Sequence, residues 1–149
     1  MTQLSMHSPV GDLTVSEDDG AIVSVDWGWG AVQTETPLLL EARRQLDLYF
    51  DGELEKFELP LRPHGSEFKK QVWRAMLRIP YGSTETYGKI AAEVGAPARS
   101  VGGACGANPI PIIIPCHRIL AANGGMGGYS GDGGVETKVF LLRLEGALL

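Results

Sequence analysis

Apolar and polar positions alternate along the first part of the chain in a pattern typical of strands. Two alternating runs, at residues 13–15 and 22–27, are separated by the turn-forming segment 17–20, which predicts a β-hairpin. Apolar residues between positions 37 and 50 then recur at helical spacing, so we expect one helix there. The segment Phe57-Glu58-Leu59 predicts another strand.

The apolar spacing becomes that of helices further along the chain. One predicted helix begins after the N-cap residue Ser66, and two short helices follow, at Tyr87–Val94 and Arg99–Ala107. The turn Gly95-Ala96-Pro97 joins the two short helices, and the pair therefore has a helix-turn-helix outline. A last helix is predicted from Val135 to Gly146.

These patterns predict two domains. Residues 1–61 are expected to form an α/β domain, made of a small antiparallel sheet plus a helix. Residues 66–149 are expected to form a mainly α domain that contains the helix-turn-helix. The proline-containing segment 62–65 is the predicted linker. With 149 residues the chain is long enough to bury a substantial core.

An apolar run leads into a reactive pair of residues. The segment Ile110-Pro111-Ile112-Ile113-Ile114 precedes Pro115-Cys116-His117-Arg118, and we expect a strand that delivers Cys116 to a pocket. The nucleophilic form of cysteine is the thiolate, and a neighbouring base raises its fraction. For an isolated Cys-His pair, the alternative is a buried structural cysteine beside a surface histidine.

A glycine-rich segment follows the Cys-His pair. Seven of the sixteen residues at 119–134 are glycine, which is typical of a loop that bends sharply or lies close to another group. A flexible linker is the alternative. Tyr129 and the apolar elements on both sides of the segment argue against a linker.

Composition narrows the possible classes of function. The hydrophobic content of 44% and the charged content of 21% are those of an ordinary globular protein. No apolar run reaches the roughly 20 residues of a membrane span, and no signal peptide is evident, so we expect a cytoplasmic protein without a membrane partner. The two cysteines are too few for a disulfide framework and have no zinc-site spacing, so we expect no metal and no cofactor.

The charge is unevenly distributed along the chain. The net charge is −5, yet residues 1–65 hold 4 basic and 12 acidic residues whereas residues 66–149 hold 9 basic and 6 acidic residues. A mildly basic second part can lie on phosphates while the acidic part faces solvent. An ordinary distribution of charged residues over a protein surface produces a positive excess of the same size, so the charge alone does not identify a partner.

Several segments together resemble one known family, the O6-alkylguanine-DNA alkyltransferases, or methylated-DNA–protein-cysteine methyltransferases. The matching segments are 99–104, 108–109, 112–118, 128–131 and 144–146 together with Lys138, and 8–14 and 45–50 resemble the N-terminal domain of the family. The resemblance covers essentially the whole chain. It implies a ribonuclease H-like first domain and a winged-helix-like second domain.

The resemblance also implies a DNA repair reaction. A damaged guanine is flipped out of the duplex, and Cys116 takes the alkyl group from its O6 in a single irreversible turnover. O4 of thymine is a further implied site of attack. His117 would deprotonate Cys116 through a water molecule, and Glu145 would hold His117 and stabilise its imidazolium.

Three more residues are assigned to the reaction by the same resemblance. Asn108 would brace the segment that holds the cysteine. Tyr87 would donate a hydrogen bond to the leaving guanine, and Lys138 would lie near the reacting atoms, where negative charge develops. From spacing alone, Tyr87 is equally a core aromatic residue, and Glu145 is a solvated carboxylate at a helix end.

The implied partner is double-stranded DNA bearing O6-alkylguanine, bound through the minor groove by a protein monomer. Arg99 would fill the gap left by the flipped base, and a helix of small residues can enter a groove only ~6 Å wide. The implied DNA-binding residues are Arg99, Ser100, Gly102, Gly103, Ala104 and Arg118; the implied base pocket is formed by Met126, Tyr129, Ser130 and Gly131. A helix of small residues that packs tightly against a neighbour is the structural alternative.

Three other functions compete with this interpretation. A thiol hydrolase using Cys116, His117 and Glu145 would turn over repeatedly, and no oxyanion motif is evident. A lesion-binding relative without catalysis would lack the reactive cysteine. A plain helix-turn-helix regulator would present Arg, Asn or Gln for reading the major groove, and the 99–107 helix has only Arg99 and lacks Asn and Gln.

Overall fold

The chain begins with a three-stranded antiparallel sheet in the order β1-β2-β3. The computed structural model describes residues 1–129 and 131–149. The strands are β1 (Thr2–Met6), β2 (Leu13–Asp18) and β3 (Ala21–Trp27). Asp19 and Gly20 both adopt positive φ angles, 49° and 79°, as a two-residue turn between twisted strands requires. The predicted hairpin is therefore confirmed, and β1 adds a strand that the alternation analysis did not include.

Helix α1 (Pro37–Phe50) covers the sheet. Thr36 caps it by accepting a hydrogen bond from the Leu39 amide at 3.1 Å, and Pro37 occupies its first turn, where no amide donor is needed. The buried residues of α1 recur every three to four positions: Leu39, Ala42, Gln45, Leu46 and Tyr49. Apart from Gln45, this spacing forms one apolar face toward the sheet, as the sequence predicted.

The predicted strand at Phe57-Glu58-Leu59 is wrong. The amide of Glu58 donates to the side chain of Gln45 instead of a strand partner. Only Leu61 forms a bridge, to Ile22 of β3, flanked by hydrogen bonds of Ile22 to Pro60 and Arg62. Prolines on both sides of this bridge lack the amide hydrogen that a longer ladder would need.

The second part of the chain is mainly helical, with α2 (Glu67–Leu77), α3 (Tyr87–Val94), α4 (Ala98–Gly106) and α5 (Val135–Leu144). Helices α2, α3 and α4 contact one another, and the indole of Trp73 donates to the Ala104 carbonyl at 2.9 Å. Gly95 ends α3 in the left-handed conformation, and Pro97 precedes α4. The predicted fold class, an α/β part followed by a helical part with a helix-turn-helix, is confirmed.

The segment 110–114 is buried as predicted, but it is a pair of tight turns and not a strand. The Ile113 amide donates to Pro111 and the Ile114 amide to Ile110, and Ile112 has a φ of 73°. Positive φ is unfavourable for a β-branched residue, so the surrounding packing must hold this conformation. Pro111 within the segment and Pro109 and Pro115 beside it have no amide donor for a strand ladder. Hydrophobicity alone could not distinguish a buried turn from a strand.

A short parallel pair of strands, β4 (Glu85–Thr86) and β5 (Ile119–Leu120), connects the start of α3 to the residues that follow the Cys-His pair.

Within residues 1–129 and 131–149, no helix is both long and apolar enough to cross a membrane. The same residues contain no cluster of three or more His, Cys, Asp or Glu side chains that could hold a metal ion.

Candidate active site

Cys116 opens a single turn of 3-10 helix, Cys116–Arg118, directly after the tight turns. Its amide donates to the Ile114 carbonyl at 2.8 Å, and the residue is only 6% exposed. Its remaining exposure faces a pocket of about 300 Å³. The pocket is lined by Tyr87, Gly102, Cys105, Gly106, Cys116, Gly128 and Tyr129. Cys116 therefore borders a cavity that lies between α4 and the glycine-rich segment.

Asn108 fixes the backbone that leads to Cys116. Its Nδ2 donates to the Ile114 carbonyl at 2.9 Å, and its Oδ1 accepts from the Ile110 amide at 2.9 Å. The one side chain thus closes both ends of the turn segment 110–114. The geometry is that of a brace, although Asn108 itself is half-buried and not fully buried.

His117 and Glu145 form a fully enclosed pair. Nε2 of His117 and Oε2 of Glu145 are 2.7 Å apart. Burial alone would raise the pKa of Glu145, but hydrogen bonds from His117, Arg118 and Tyr49 lower it to about 2. An ionised carboxylate only accepts hydrogen bonds, so His117 must carry its proton on Nε2. Its Nδ1 then has a free lone pair and is a buried atom without a hydrogen-bond partner among the described residues.

The ionisation states follow from burial and from Arg118. Burial lowers the pKa of His117, and the positive charges of Arg118 and Lys138 act in the same direction, while Glu145 opposes them. We therefore assign His117 as a neutral base. Burial also raises the pKa of the Cys116 thiol, and the side chain of Asn108 and the charge of Lys138 partly counteract this effect. Cys116 is thus a thiol that needs a base in order to react.

Arg118 lies inside the protein and not on an exposed surface, and its DNA-binding role stays a prediction. Its Nε and Nη2 donate to the two carboxylate oxygens of Glu145 at 2.8 and 3.0 Å, and its Nη1 donates to the Ile79 carbonyl at 2.7 Å. The guanidinium is buried, 5.9 Å from the centre of the Tyr81 ring. A forked ion pair of this kind neutralises Glu145 inside the protein and holds the guanidinium away from the exposed surface.

Lys138 is fully buried and joins two segments that border the pocket. Its Nζ donates to the carbonyl oxygens of Ile119 in β5, at 2.6 Å, and Gly128, at 3.2 Å. Burial lowers the pKa of Lys138, whereas nearby Cys116 and Cys105 raise it. Its hydrogen bonds hold the glycine-rich segment against β5, and its charge lies close enough to Cys116 to favour the thiolate.

The aromatic walls of the pocket are Tyr87 and Tyr129. Burial raises the pKa of both phenols, so both stay protonated. The Tyr129 hydroxyl is buried, and the described residues offer it no hydrogen-bond partner. Gly131 lies against the rings of Trp27 and Tyr129, where a Cβ would overlap both. Met126 is half-buried but does not line the pocket, and Ser130 lies outside the described residues.

Helix α4 presents its small residues on the surface beside the pocket. Arg99, Ser100 and Gly103 are exposed, and Gly102 lines the pocket rim. A Cβ added at Gly102 or Gly103 would meet no heavy atom of the described chain within 4 Å. Packing inside the protein therefore does not require glycine there. Ala104, in contrast, is 2% exposed and its side chain lies against the core, so its contact with DNA stays a prediction.

Comparison with known proteins agrees with this geometry. The DNA-binding domain of 6-O-methylguanine DNA methyltransferase matches residues 67–147, and the ribonuclease-like domain of the same family matches residues 1–63. The chain belongs to the 6-O-methylguanine DNA methyltransferase family. The resemblance inferred from the sequence is thereby confirmed.

Relatives of this methyltransferase family align over nearly the full chain. A methylated-DNA–protein-cysteine methyltransferase of Methanosarcina acetivorans is 44% identical, covering 95% of this chain and 96% of its own. The constitutive enzyme of Bacillus subtilis is 42% identical, with 93% and 92% covered. The crystal structure of Mycobacterium tuberculosis OGT in complex with DNA has a TM-score of 0.88 and 39% identity, covering 99% of this chain and 94% of that one.

Two contacts in this methyltransferase site were missed by the sequence analysis. Tyr49 of α1 donates its hydroxyl to Oε2 of Glu145 at 2.5 Å, and Trp27 of β3 packs on Tyr129. Both residues belong to the first domain, far away in sequence. Their local patterns are those of ordinary core aromatic residues, so no sequence signal distinguished them.

Proposed function

We propose that this methyltransferase repairs alkylated DNA by moving the alkyl group from O6 of guanine to Sγ of Cys116. The activity class follows from membership of the family, and the assignment of the acceptor is carried by one observation. Cys116 opens onto the pocket, and the adjacent His117 is a neutral base whose Nδ1 lone pair is buried and unpartnered within the described structure. A thiol next in sequence to a base with a free lone pair is the pairing that nucleophilic catalysis by cysteine uses.

The reaction needs one proton transfer and one displacement. The Cys116 thiol gives its proton to Nδ1 of His117, through a bridging water, and the imidazolium is stabilised by Glu145. The thiolate then attacks the alkyl carbon; the new S–C bond forms as the C–O6 bond breaks, and the bonding electrons leave with the guanine. A hydrogen bond from the Tyr87 hydroxyl to the departing base accommodates the negative charge that develops there.

The product is an alkyl thioether on Cys116. Water does not displace a thiolate from the unactivated alkyl carbon of a thioether, and the thioether has no proton for His117 to remove, so the starting thiol is not regenerated. The expected stoichiometry is therefore one alkyl group per protein molecule, after which the protein is spent.

DNA contact is proposed for the exposed surface of α4. Three glycines in one short helix cost helix stability, roughly 1 kcal/mol each relative to alanine. The described chain leaves open space at all three, Gly102, Gly103 and Gly106. We propose that the glycines allow the helix to approach a duplex closely through the minor groove. Arg99, at the start of the helix, would fill the space left by a flipped base. The groove width and the lack of sequence information in the minor groove both suit a protein that searches for damage.

All the residues proposed for the reaction come from one chain, so we propose that a monomer carries out repair. Because the substrate is DNA, the proposed site of action is the chromosome.

Tyr129 is proposed to stack against the extruded base, and its unpartnered hydroxyl is proposed to form a hydrogen bond with that base. Gly131, Ser130 and Met126 are proposed to complete this base pocket.

A stoichiometry experiment tests the proposal against a thiol hydrolase. The protein is mixed with an excess of duplex carrying O6-methylguanine, and repaired guanine is counted over time. We expect a burst that stops at one repaired base per protein, and no release of carboxylic acid from acyl substrates. Continued turnover beyond one equivalent would contradict the proposal and favour hydrolysis or another catalytic cycle.

A further inference from the structure

The first domain places one hydroxyl group in the hydrogen-bonding network of the reactive site. Tyr49 lies on the buried face of α1, is fully buried, and donates to Oε2 of Glu145 at 2.5 Å. Its ring is held by Phe50 and Phe57, each with centroids 5.3 Å away, and by Tyr81 at 6.3 Å. Since the ring is fixed on several sides, the position of the hydroxyl is determined by packing and not by Glu145.

We infer that Tyr49 is a positioning residue for the alkyl transfer: its hydroxyl controls how strongly Glu145 accepts the hydrogen bond of His117. The inference rests on the proposed function, in which His117 is the base for Cys116. It assigns the first domain a direct influence on the chemistry, beyond covering the second domain.

The arrangement of donors around Glu145 supports this inference. Oε2 accepts from Tyr49, from His117 at 2.7 Å, and from Nη2 of Arg118 at 3.0 Å. Oε1 accepts only from Nε of Arg118 at 2.8 Å within the described part of the chain. Tyr49 and His117 therefore compete for the lone pairs of the same oxygen atom.

This competition has a definite direction. Each donor withdraws negative charge from Oε2, and a less basic carboxylate stabilises an imidazolium less well. The Tyr49 hydroxyl therefore favours the neutral form of His117, which can accept the Cys116 proton. Removal of the hydroxyl should strengthen the His117–Glu145 bond, favour the imidazolium before substrate arrives, and leave less of the free base at low pH.

Two charged side chains near the pair, Arg118 and Lys138, act on the same equilibrium. The titratable or charged groups that face His117 and Glu145 are Arg118 from the 3-10 turn, Lys138 from α5, Tyr49 from α1 and Tyr81 from the turn after α2. Arg118 and Lys138 disfavour a second positive charge on His117. Tyr81 donates to the Leu144 carbonyl at 3.2 Å and not to the carboxylate. Tyr49 is thus the neutral donor in this set that contacts Glu145 directly.

The pH profile of Tyr49→Phe tests the inference. The second-order rate constant for transfer from free O6-benzylguanine is measured between pH 5 and pH 9, with Tyr81→Phe as the matched control, since it loses a hydroxyl from the same aromatic cluster. We expect the acid limb of the Tyr49→Phe profile, where the rate falls as the pH is lowered, to move to higher pH. On this limb the rate should be about tenfold below wild type, which is the size of effect expected for a hydrogen bond to a charged group. The difference in rate between wild type and Tyr49→Phe should shrink at alkaline pH. The acid limb of Tyr81→Phe should lie at the same pH as that of wild type.

A purely structural role would give a different result. It would lower the melting temperature and reduce the rate by one factor at every pH, without moving the acid limb, and that result would overturn the inference. An unchanged profile would also overturn it. Affinity for undamaged duplex DNA should be equal in wild type and Tyr49→Phe, because Tyr49 is fully buried.

A second substitution covers the possibility that Tyr49→Phe folds poorly. Replacement of Tyr49 by 3,5-difluorotyrosine keeps the ring and the hydroxyl but makes the phenol a stronger donor, so the acid limb should move to lower pH. A shift in the same direction as Tyr49→Phe, or none, would contradict the inference. Failure of the proposed function can be distinguished from failure of this inference. If the proposed function were wrong, the Cys116→Ser variant would still accept the alkyl group.

Discussion

The indole ring of Trp27 packs edge-on against the phenol ring of Tyr129, with their centroids 6.3 Å apart and their planes at 83°. Trp27 ends β3 in the first domain, whereas Tyr129 forms a wall of the pocket in the second. Gly131 lies against both rings, where no Cβ fits. The shape of the pocket therefore depends on a contact between the two domains.

Trp27→Ala should loosen the Tyr129 wall and slow alkyl transfer. An edge-on aromatic pair contributes about 0.5–1.5 kcal/mol beyond its buried area, which corresponds to a rate lower by roughly two- to tenfold. The measurement is the rate of transfer from O6-benzylguanine. Trp29→Ala is the control, because Trp29 is 52% exposed and stacks on His7. Equal rates for wild type and Trp27→Ala would show that Tyr129 holds its position without Trp27.

Glu145→Gln should destabilise the protein and change its response to acid. Removing this charge leaves Arg118 buried without its ionic partner, which typically costs about 3–5 kcal/mol. The folded-state pKa of Glu145, about 2, lies below its unfolded value of roughly 4.3. The ionised carboxylate therefore stabilises the fold above the unfolded pKa, and this stabilisation is lost as the pH falls toward the folded value.

Denaturant titrations of wild type and Glu145→Gln between pH 7 and pH 2 check this prediction. The difference in unfolding free energy should be largest near pH 7 and should narrow as the pH falls below about 4, where the unfolded carboxyl is protonated. A difference that stays constant over this range would mean that the carboxylate charge is not what stabilises the fold.

Gly103→Leu should stabilise the protein while weakening its binding to DNA. A Cβ at Gly103 meets open space in the described structure, and leucine is the better helix former by about 0.8 kcal/mol. A large side chain on the exposed surface of α4 would, however, obstruct close approach to a minor groove. We expect a raised melting temperature, a weaker affinity for duplex DNA and an unchanged rate with free O6-benzylguanine. Undiminished affinity for duplex would show that DNA does not lie against this surface.

Arg99→Ala should slow repair within duplex DNA more than transfer from the free base. Arg99 is exposed at the start of α4. Duplex repair requires extrusion of the base at a cost of a few kcal/mol and a side chain to fill the vacancy, whereas free O6-benzylguanine needs only the pocket. The ratio of the two rate constants is the measurement. If both rates fell by the same factor, Arg99 would be stabilising the fold or the reactive form of Cys116, and not the duplex with its base flipped out.

The fold was predictable from the sequence where local pattern determines local structure. Alternation around the 17–20 turn and helical spacing over 37–50 correctly predicted the hairpin and α1. The same reasoning failed at 110–114, because hydrophobicity reports burial, while the prolines and the bonds from Asn108 decide the backbone conformation. The predicted strand at 57–59 failed because Gln45, thirteen residues before Glu58, takes the amide of Glu58.

The site was predictable only as far as its motifs extend. The segment around Cys116 and His117 identified the reactive centre, but a motif does not show which of its members are exposed, and Arg118 was assigned to DNA although it is buried against Glu145. Tyr49 is 96 residues from Glu145 in the chain. Contacts of this kind arise from tertiary packing between domains and leave no periodic signal in the sequence.

The identity of the alkyl acceptor is tested most directly by mass spectrometry. The protein is incubated with duplex DNA containing O6-methylguanine, its intact mass is measured, and the modified residue is located by peptide mapping in wild type, Cys116→Ser and Cys105→Ala. Cys105 is the matched control because it lines the same pocket, yet burial raises the pKa of its thiol to about 12 and its Sγ lies 3.7 Å from the sulfur of Met76. We predict one added methyl group on Cys116 in wild type and in Cys105→Ala, and none in Cys116→Ser. A methyl group found on Cys105, or retained in Cys116→Ser, would contradict the account.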